Sequence, residues 1–173
     1  MLHELASCHC HPQRLIVGTM AHAGEQEQRL ERALSDMAIP PGVRLSAFAV
    51  TDFPAIQALS LAEGWSTPTD RPEQCRQAWV SSWPALVARD LDGAVIGFLR
   101  ALTDGEVTTY IGEILVAPGY RRGRLGAALV EACQRLCPRT RLDLLSTEDA
   151  DLFYRGIGCR EFTGFRLSPV ADG

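Results

Sequence analysis

The sequence predicts an α/β (α+β) domain at residues 43–173, a mixed and mostly antiparallel sheet flanked by helices, with a short extension at residues 1–42 before it. Three observations carry this reading. The strand-like runs "ALVARD", "AVIGFLRAL" and "EVTTYIGEILV" are separated only by the turns "LDG" and "TDG", the mark of an antiparallel meander. The last run passes through Pro118 and Gly119 into a helical stretch and then into "TRLDLLS", and strand, helix, strand implies a right-handed parallel crossover. Finally, the turn "IPPGV" at residues 39–43 divides extension from domain.

The elements follow in order. Within the extension, "EQEQRLERALSDM" places Leu30, Leu34 and Met37 at i, i+4 and i+7, which predicts a short amphipathic helix whose apolar face needs a partner, in the chain or on another subunit. "VRLSAFA" reads as a strand. Thr51 or Asp52 can cap a helix through "FPAIQALSLAEG" that ends near Gly64. "PEQCRQAWVSSW" gives a second, weaker helix before the meander. From about Arg122 to Cys137 a helix shows Leu125, Leu129, Ala132 and Leu136 on one face. After "TRLDLLS", "EDADLFYRG" reads as a short helix and "GCREFTGFRL" as terminal strand material.

Composition narrows the function. With 46% hydrophobic and 22% charged residues over 173 positions, the chain is an ordinary globular protein able to bury a core. A net charge of -4 argues against nucleic-acid binding by counterion release, which needs a basic face, and suits a cationic small molecule better. All 17 basic residues are arginine. The apolar run "LIVGTMA" is too short to span a membrane, and six cysteines without a disulfide-framework spacing favour a reduced, cytoplasmic protein. In "CHCH", residues 8–11, neighbouring side chains point to opposite sides of an extended chain, so four consecutive ligands do not close one tetrahedron and no metal is expected. Cys133 and Cys137 share a helix face without a histidine and read as core or flank residues.

The stretch "GYRRGRLGAALV", residues 119–130, brings a tight turn directly into a helix. The first amides of such a helix point outward with the positive end of its dipole behind them, a setting for a pyrophosphate. Arg121, Arg122 and Arg124 crowd cations at the end that disfavours them, which calls for an anion to offset them. Alone, the stretch reads equally well as a solvated arginine cluster.

Two blocks together carry more. "LVAPGYRRGRLGAALV" resembles the acyl-CoA-binding segment of the GCN5-related N-acetyltransferases (GNAT), a strand ending Leu-x-Val-x-Pro followed by Arg/Gln-x-x-Gly-x-Gly/Ala. Val116, Pro118, Tyr120, Arg121 and Gly126 match in register, while Arg124 departs. "ADLFYRGIGC" resembles the family's Ala-x-x-x-Tyr-x-x-x-Gly-Phe block through Ala150, Tyr154 and Gly158, with Cys159 in place of the aromatic. Both blocks stand in the family's order and spacing, and the resemblance covers about residues 43–168.

What the resemblance implies is a GNAT fold in which a splayed parallel pair of strands receives acetyl-CoA, with no metal. Pantetheine would bond the backbone of Ile114, Leu115 and Val116 as an added strand. The pyrophosphate would lie on the amides of Arg121, Arg122, Gly123, Arg124, Leu125 and Gly126, with Gly123 restoring some of the freedom that Arg124 removes. Thr147 would stand where many members hold the pantetheine arm with an asparagine, and Phe153 beside the donor. Tyr154 would be the acid for the departing thiolate.

Glu113, three residues before Val116 on the same strand, is the preferred base, although its side of the strand cannot be read next to a possible bulge. Asp104 is the second candidate, with a hairpin-turn aspartate as its plainer reading. Trp65 is a candidate for packing the acceptor. The expected activity is direct transfer of an acetyl group from acetyl-CoA to a primary amine of a small molecule. Acetylation of a protein N-terminus or lysine, and a non-catalytic acyl-CoA sensor, are the alternatives. No nucleic-acid or membrane partner is expected, and a homodimer is open.

Overall fold

The structure, a computed structural model, describes residues 24–147 and 150–167. Five strands form one sheet in the order β1-β2-β3-β4-β5. They are β1 (Arg44–Ala47), β2 (Ala85–Arg89), β3 (Val95–Thr103), β4 (Thr108–Val116) and β5 (Arg141–Leu144). Every neighbouring pair is antiparallel except β4 and β5, which run parallel from Thr108↔Arg141 to Ile111↔Leu144. The meander and the late crossover are therefore as the turn and strand pattern predicts.

Helices cover both faces. Residues 24–34 form α1. The others are α2 (Phe53–Ala62), α3 (Thr67–Asp70), α4 (Pro72–Val80), α5 (Leu125–Leu136) and α6 (Asp151–Gly156). One face buries Leu30, Leu45, Leu86, Leu99, Ile111, Leu129 and Leu136, joining α1 and α5 to four strands. On the other, Phe53, Ile56 and Trp79 from α2 and α4 pack on Val87, Phe98 and Leu115. Cys133 and Cys137 are buried in the first of these cores, where burial pushes the Cys133 thiol up to about 12.

Several details differ from the sequence pattern. The side chain of Asp52 does not cap α2; it accepts from the Ala49 amide and pairs with Arg89. The four-residue helix α3 interrupts what reads as loop. α5 begins at Leu125 rather than near Arg122, because Arg122 and Arg124 take left-handed backbone angles that no helix continues through. The expected terminal strand is not formed in residues 159–167. That stretch passes β5 where Gly164 abuts Leu145, and it leaves Phe165 and Leu167 exposed. The "CHCH" run lies outside the described residues.

Candidate active site

β4 outruns β5. Pairing stops at Ile111↔Leu144 while β4 continues to Val116, so the edge from Gly112 to Val116 has no strand partner among the described residues. The antiparallel ladder with β3 fixes which groups face that opening. The Ala117 amide bonds the Ile96 carbonyl at 2.9 Å, so Gly97↔Val116 and Leu99↔Ile114 are the non-hydrogen-bonded pairs. The backbone groups of Ile114 and Val116 therefore point toward the gap, and those of Leu115 toward β3. On that open edge the Val116 carbonyl accepts Nε of Arg121 at 3.0 Å.

At the end of β4 the chain makes a 3-10 turn at Pro118–Tyr120, then four residues of tight turn, then α5. Arg122 has φ 62° and Arg124, the residue that caps α5, φ 65°. Gly123 does not carry a positive φ, so the strained positions fall on the two arginines around it instead of on the glycine. A β-carbon in the left-handed region costs about 1–2 kcal/mol per residue. The turn's bonds run as far as the Arg121 amide on Pro118 and resume with Ala128 on Arg124. Between them the amides of residues 122–127 have no acceptor among the described residues. Six orphaned donors at the positive end of a 12-residue helix are a physical match to a pyrophosphate.

The three arginines divide the work. Arg121 folds back onto the open edge of β4, bonding the Val116 carbonyl and pairing with Glu63 at 2.5 Å, so it ties the loop to the end of α2. Arg122 and Arg124 are exposed and have no acid partner among the described residues.

α6 is set beside the start of α5 by Phe153. A Cβ at Gly126 would stand 3.0 Å from Cζ of that ring and 3.8 Å from Val116, so Gly126 is the place where helix, strand and ring converge. Phe153 and Tyr154 meet edge to face with centroids 5.0 Å apart. Tyr154 lines a cleft of about 330 Å³ with Leu142, Leu144, Ser146, Cys159 and Phe162. Burial, and then the neighbouring Cys159, raise its phenol above the ordinary value of 10.0, so it stays protonated through the neutral range. Its hydroxyl has no hydrogen-bond partner among the described residues. Thr147 is exposed; its carbonyl accepts the Ala150 amide at 2.9 Å and the Ser146 hydroxyl at 2.8 Å, which leaves its own hydroxyl uncommitted.

Glu113 owes its direction to a β-bulge. The register runs Arg100↔Glu113 and then Ala101↔Ile111, so Gly112 is the extra residue of β4. With it, Ile111 faces α5 and Glu113 faces α2 and α4. Without it the two side chains would share one face. The space above Gly112 is filled by Arg100, whose Nη2 would lie 3.2 Å from a Cβ there. Arg100 gives Glu113 Oε1 two bonds, at 3.0 Å from Nε and 2.7 Å from Nη2, and its Nη1 meets Ser82 Oγ at 3.1 Å. Oε2 of Glu113 has no partner among the described residues. Trp65 and Cys75 pack on the same α2–α4 core, so they stand on the layer Glu113 faces.

Asp104 is elsewhere. It lies in the β3–β4 turn, where its Oδ1 accepts the amides of Glu106, Val107 and Thr108 at 2.8–3.0 Å. Those bonds hold its carboxyl below the usual range. Along β4 the hairpin end and Val116 are separated by about 25 Å. The described structure thus sets Glu113 and Trp65 on the same layer of the sheet, sets Phe153 against Gly126 with Tyr154 beside it, and leaves Asp104 apart as a turn residue. Arg100, Gly112 and Ser82 escape a reading of the motifs. Their one signal is an arginine in the middle of the apolar strand "VIGFLRAL", which needs a partner to be half-buried.

Comparison with known proteins matches this geometry. A family model described as the acetyltransferase (GNAT) family covers residues 50–158. Among solved structures, a candidate acetyltransferase from Deinococcus radiodurans R1 is 26% identical over 76% of this chain and 92% of that one, with a TM-score of 0.61. A GNAT-family acetyltransferase from Streptococcus pneumoniae TIGR4 is 24% identical over 73% of this chain and 96% of its own, with a TM-score of 0.61. An aminoglycoside N-acetyltransferase in complex with CoA shares the fold at 16% identity, covering 78% of this chain and 99% of that one, with a TM-score of 0.60. No curated protein matches the chain. Among the described residues no helix is long and apolar enough to cross a membrane, and no group of acids, histidines or cysteines has metal-site geometry. The family model takes in strands β2 to β5, the α5 turn with its orphaned amides and the Tyr154 helix, and on that match the chain belongs to the acetyltransferase (GNAT) family.

Proposed function

We propose that the protein transfers an acetyl group from acetyl-CoA to a primary amine of a small molecule, directly and within a ternary complex. The observation that carries the reading is the uncommitted Tyr154 phenol, kept protonated by burial in the cleft lined by β5, α6 and residues 159–164. Acetyl-CoA supplies the activated thioester. The residues that would hold it are the amides of residues 122–127 for the pyrophosphate, the open edge of Ile114 and Val116 for the pantetheine, and the Thr147 hydroxyl beside that arm.

In this reading Glu113 Oε2 takes the proton from the acceptor's ammonium, directly or through a water, so that the free amine can attack the acetyl carbon. The amide near Val116 steadies the negative charge on the carbonyl oxygen. The carbon–sulfur bond then breaks, and Tyr154 gives its proton to the thiolate. The nitrogen loses its second proton as it becomes the amide, and that proton returns to the phenolate through solvent, while Glu113 releases the first one to solvent. The CoA complex of the aminoglycoside enzyme that shares the fold supports the donor assignment, and the acceptor there is one example of a small-molecule amine.

The test is Tyr154→Phe, assayed by thiol release with the best acceptor from an amine panel. Turnover is expected to fall by about 100-fold while acetyl-CoA affinity stays within about twofold. Lost binding with unchanged turnover per bound enzyme would remove Tyr154 from its role.

A further inference from the structure

The open edge of β4 is not bare. The ladder with β3 sends both backbone groups of Val116 into the gap, and there Nε of Arg121 holds the Val116 carbonyl at 3.0 Å. An added strand would bring its own N–H to about 2.9 Å from that oxygen, so the guanidinium fills the place such a strand would take. The same guanidinium reaches Glu63 through Nη2 at 2.5 Å. One side chain therefore bridges the donor edge and the C-terminal end of α2.

Glu63 stands with the acceptor candidate Trp65. The amides of both residues bond the Ser60 carbonyl, at 3.1 and 2.9 Å, so the two share one turn. The Glu63 side chain is 23% exposed, and among the described residues Arg121 is its sole ion-pair partner. With the guanidinium gone, a partly desolvated carboxylate is left uncompensated, which favours capture of another cation. The Arg121 side chain is 48% exposed and has solvent to move into. The turn that carries it has a separate anchor, because the Tyr120 hydroxyl donates to Asp90 Oδ2 at 3.0 Å, across to the β2–β3 turn.

We propose that Arg121 is a latch on the donor edge and Glu63 the binding site for the acceptor's ammonium, the two locked together until the donor arrives. Pantetheine takes the Val116 edge and displaces Nε. The diphosphate, on amides that begin at the next residue, offers the freed guanidinium a second anion. Glu63, released, receives the cationic amine beside the thioester it is to attack, and the amine's protons then leave as described above. The assignment rests on the acetyl-transfer reading and adds an acceptor site that only the loaded enzyme has.

The experiment is calorimetric titration at fixed ionic strength of the native chain, Glu63→Gln, Arg121→Met and the double variant, with urea midpoints confirming that each is folded. Glu63→Gln is expected to bind CoA about tenfold tighter than the native chain, the scale of one hydrogen bond between charged groups. The gain should vanish where residue 121 is already Met. No gain, or an equal gain in the Arg121→Met background, overturns the latch. Benzylamine, spermidine and kanamycin are then titrated with and without saturating CoA. In the native chain at least one should bind about tenfold tighter with CoA; Glu63→Gln should lose the difference, and Arg121→Met should bind that amine equally well without CoA. No CoA-dependent gain for any of the three, or a gain that survives Glu63→Gln, overturns Glu63 as the ammonium site. Coupling that holds while acetyl-CoA releases no thiol with these amines overturns the transfer reading instead and keeps the latch.

Discussion

Replacing Gly126 with alanine would place a methyl group 3.0 Å from Cζ and 3.2 Å from Cε2 of Phe153. Two effects compete. Alanine improves helix propensity by up to about 1 kcal/mol, and less in the first turn where Gly126 sits, while overpacking costs about 1–3 kcal/mol. The ring meets α5 at Gly126, meets Tyr154 edge to face and packs against the core, so overpacking should win. Gly126→Ala is expected to lose up to about 2 kcal/mol in a denaturant melt and to weaken acetyl-CoA binding as α6 is pushed off the turn. Phe153→Leu in the same chain should restore part of both, and equal stability with equal affinity would refute the contact as the reason for the glycine. The sequence marks Gly126 as a motif residue, but not why: the partner ring lies 27 positions later on another helix. Arg124 is the reverse case. Its departure from the pattern is plain in the sequence, whereas the left-handed backbone beneath it, shared with Arg122, depends on how the turn meets α5.

At the scale of elements, the sheet and its flanking helices are legible because period-2 and period-3.6 patterns with Gly and Pro punctuation are local signals. What is not legible is a bulge. Gly112 reads as one more strand residue, yet by standing unpaired opposite Arg100 and Ala101 it turns Glu113 to the α2–α4 side and opens the space that Arg100 fills. The terminal run fails for a related reason: alternation in "EFTGFRL" shows that it could be a strand, but pairing needs an edge at the right place, and β5 is only four residues long. The Arg100–Glu113 pair has side-chain exposures of 15% and 26%, so it is more than a surface contact. Removing one member leaves a partly desolvated charge, a loss of about 1–3 kcal/mol. Arg100→Met and Glu113→Gln should each destabilise, and the double variant should lose less than their sum, with a coupling of about 1 kcal/mol or more in a double-mutant cycle by urea melts. Strict additivity would mean that the pair does not hold the bulge together.

For the whole molecule, overall charge misleads about the site. The net value of -4 suggests an acidic surface that welcomes cations, yet the acids nearest the candidate acceptor region are matched by arginines one for one, apart from Asp70. Where charge sits is decided by folding, and only its sum is visible in the sequence. The same limit applies to the first helix. Its apolar spacing at Leu30, Leu34 and Met37 is legible, but its partner is not. In the structure α1 lies across the face it shares with α5: Glu27 accepts the Ala47 amide at 3.2 Å, Arg135 bonds the Ala33 carbonyl at 3.3 Å, and Arg29 lies 5.3 Å from the Trp83 ring centre. Leu30 is only 1% exposed, in one cluster with Leu45, Leu86 and Leu129. A helix that merely rested on a finished domain would tolerate its truncation. One that completes the core would not, because the cavity at residue 30 would open between α1, α5 and the sheet. Leu30→Ala is therefore expected to cost about 2–4 kcal/mol, read as a lower urea midpoint with unchanged slope, and to lower the melting temperature by several degrees. A loss below about 0.5 kcal/mol, the ordinary range of surface changes, would show that α1 is an appendage and that the sheet face is closed without it.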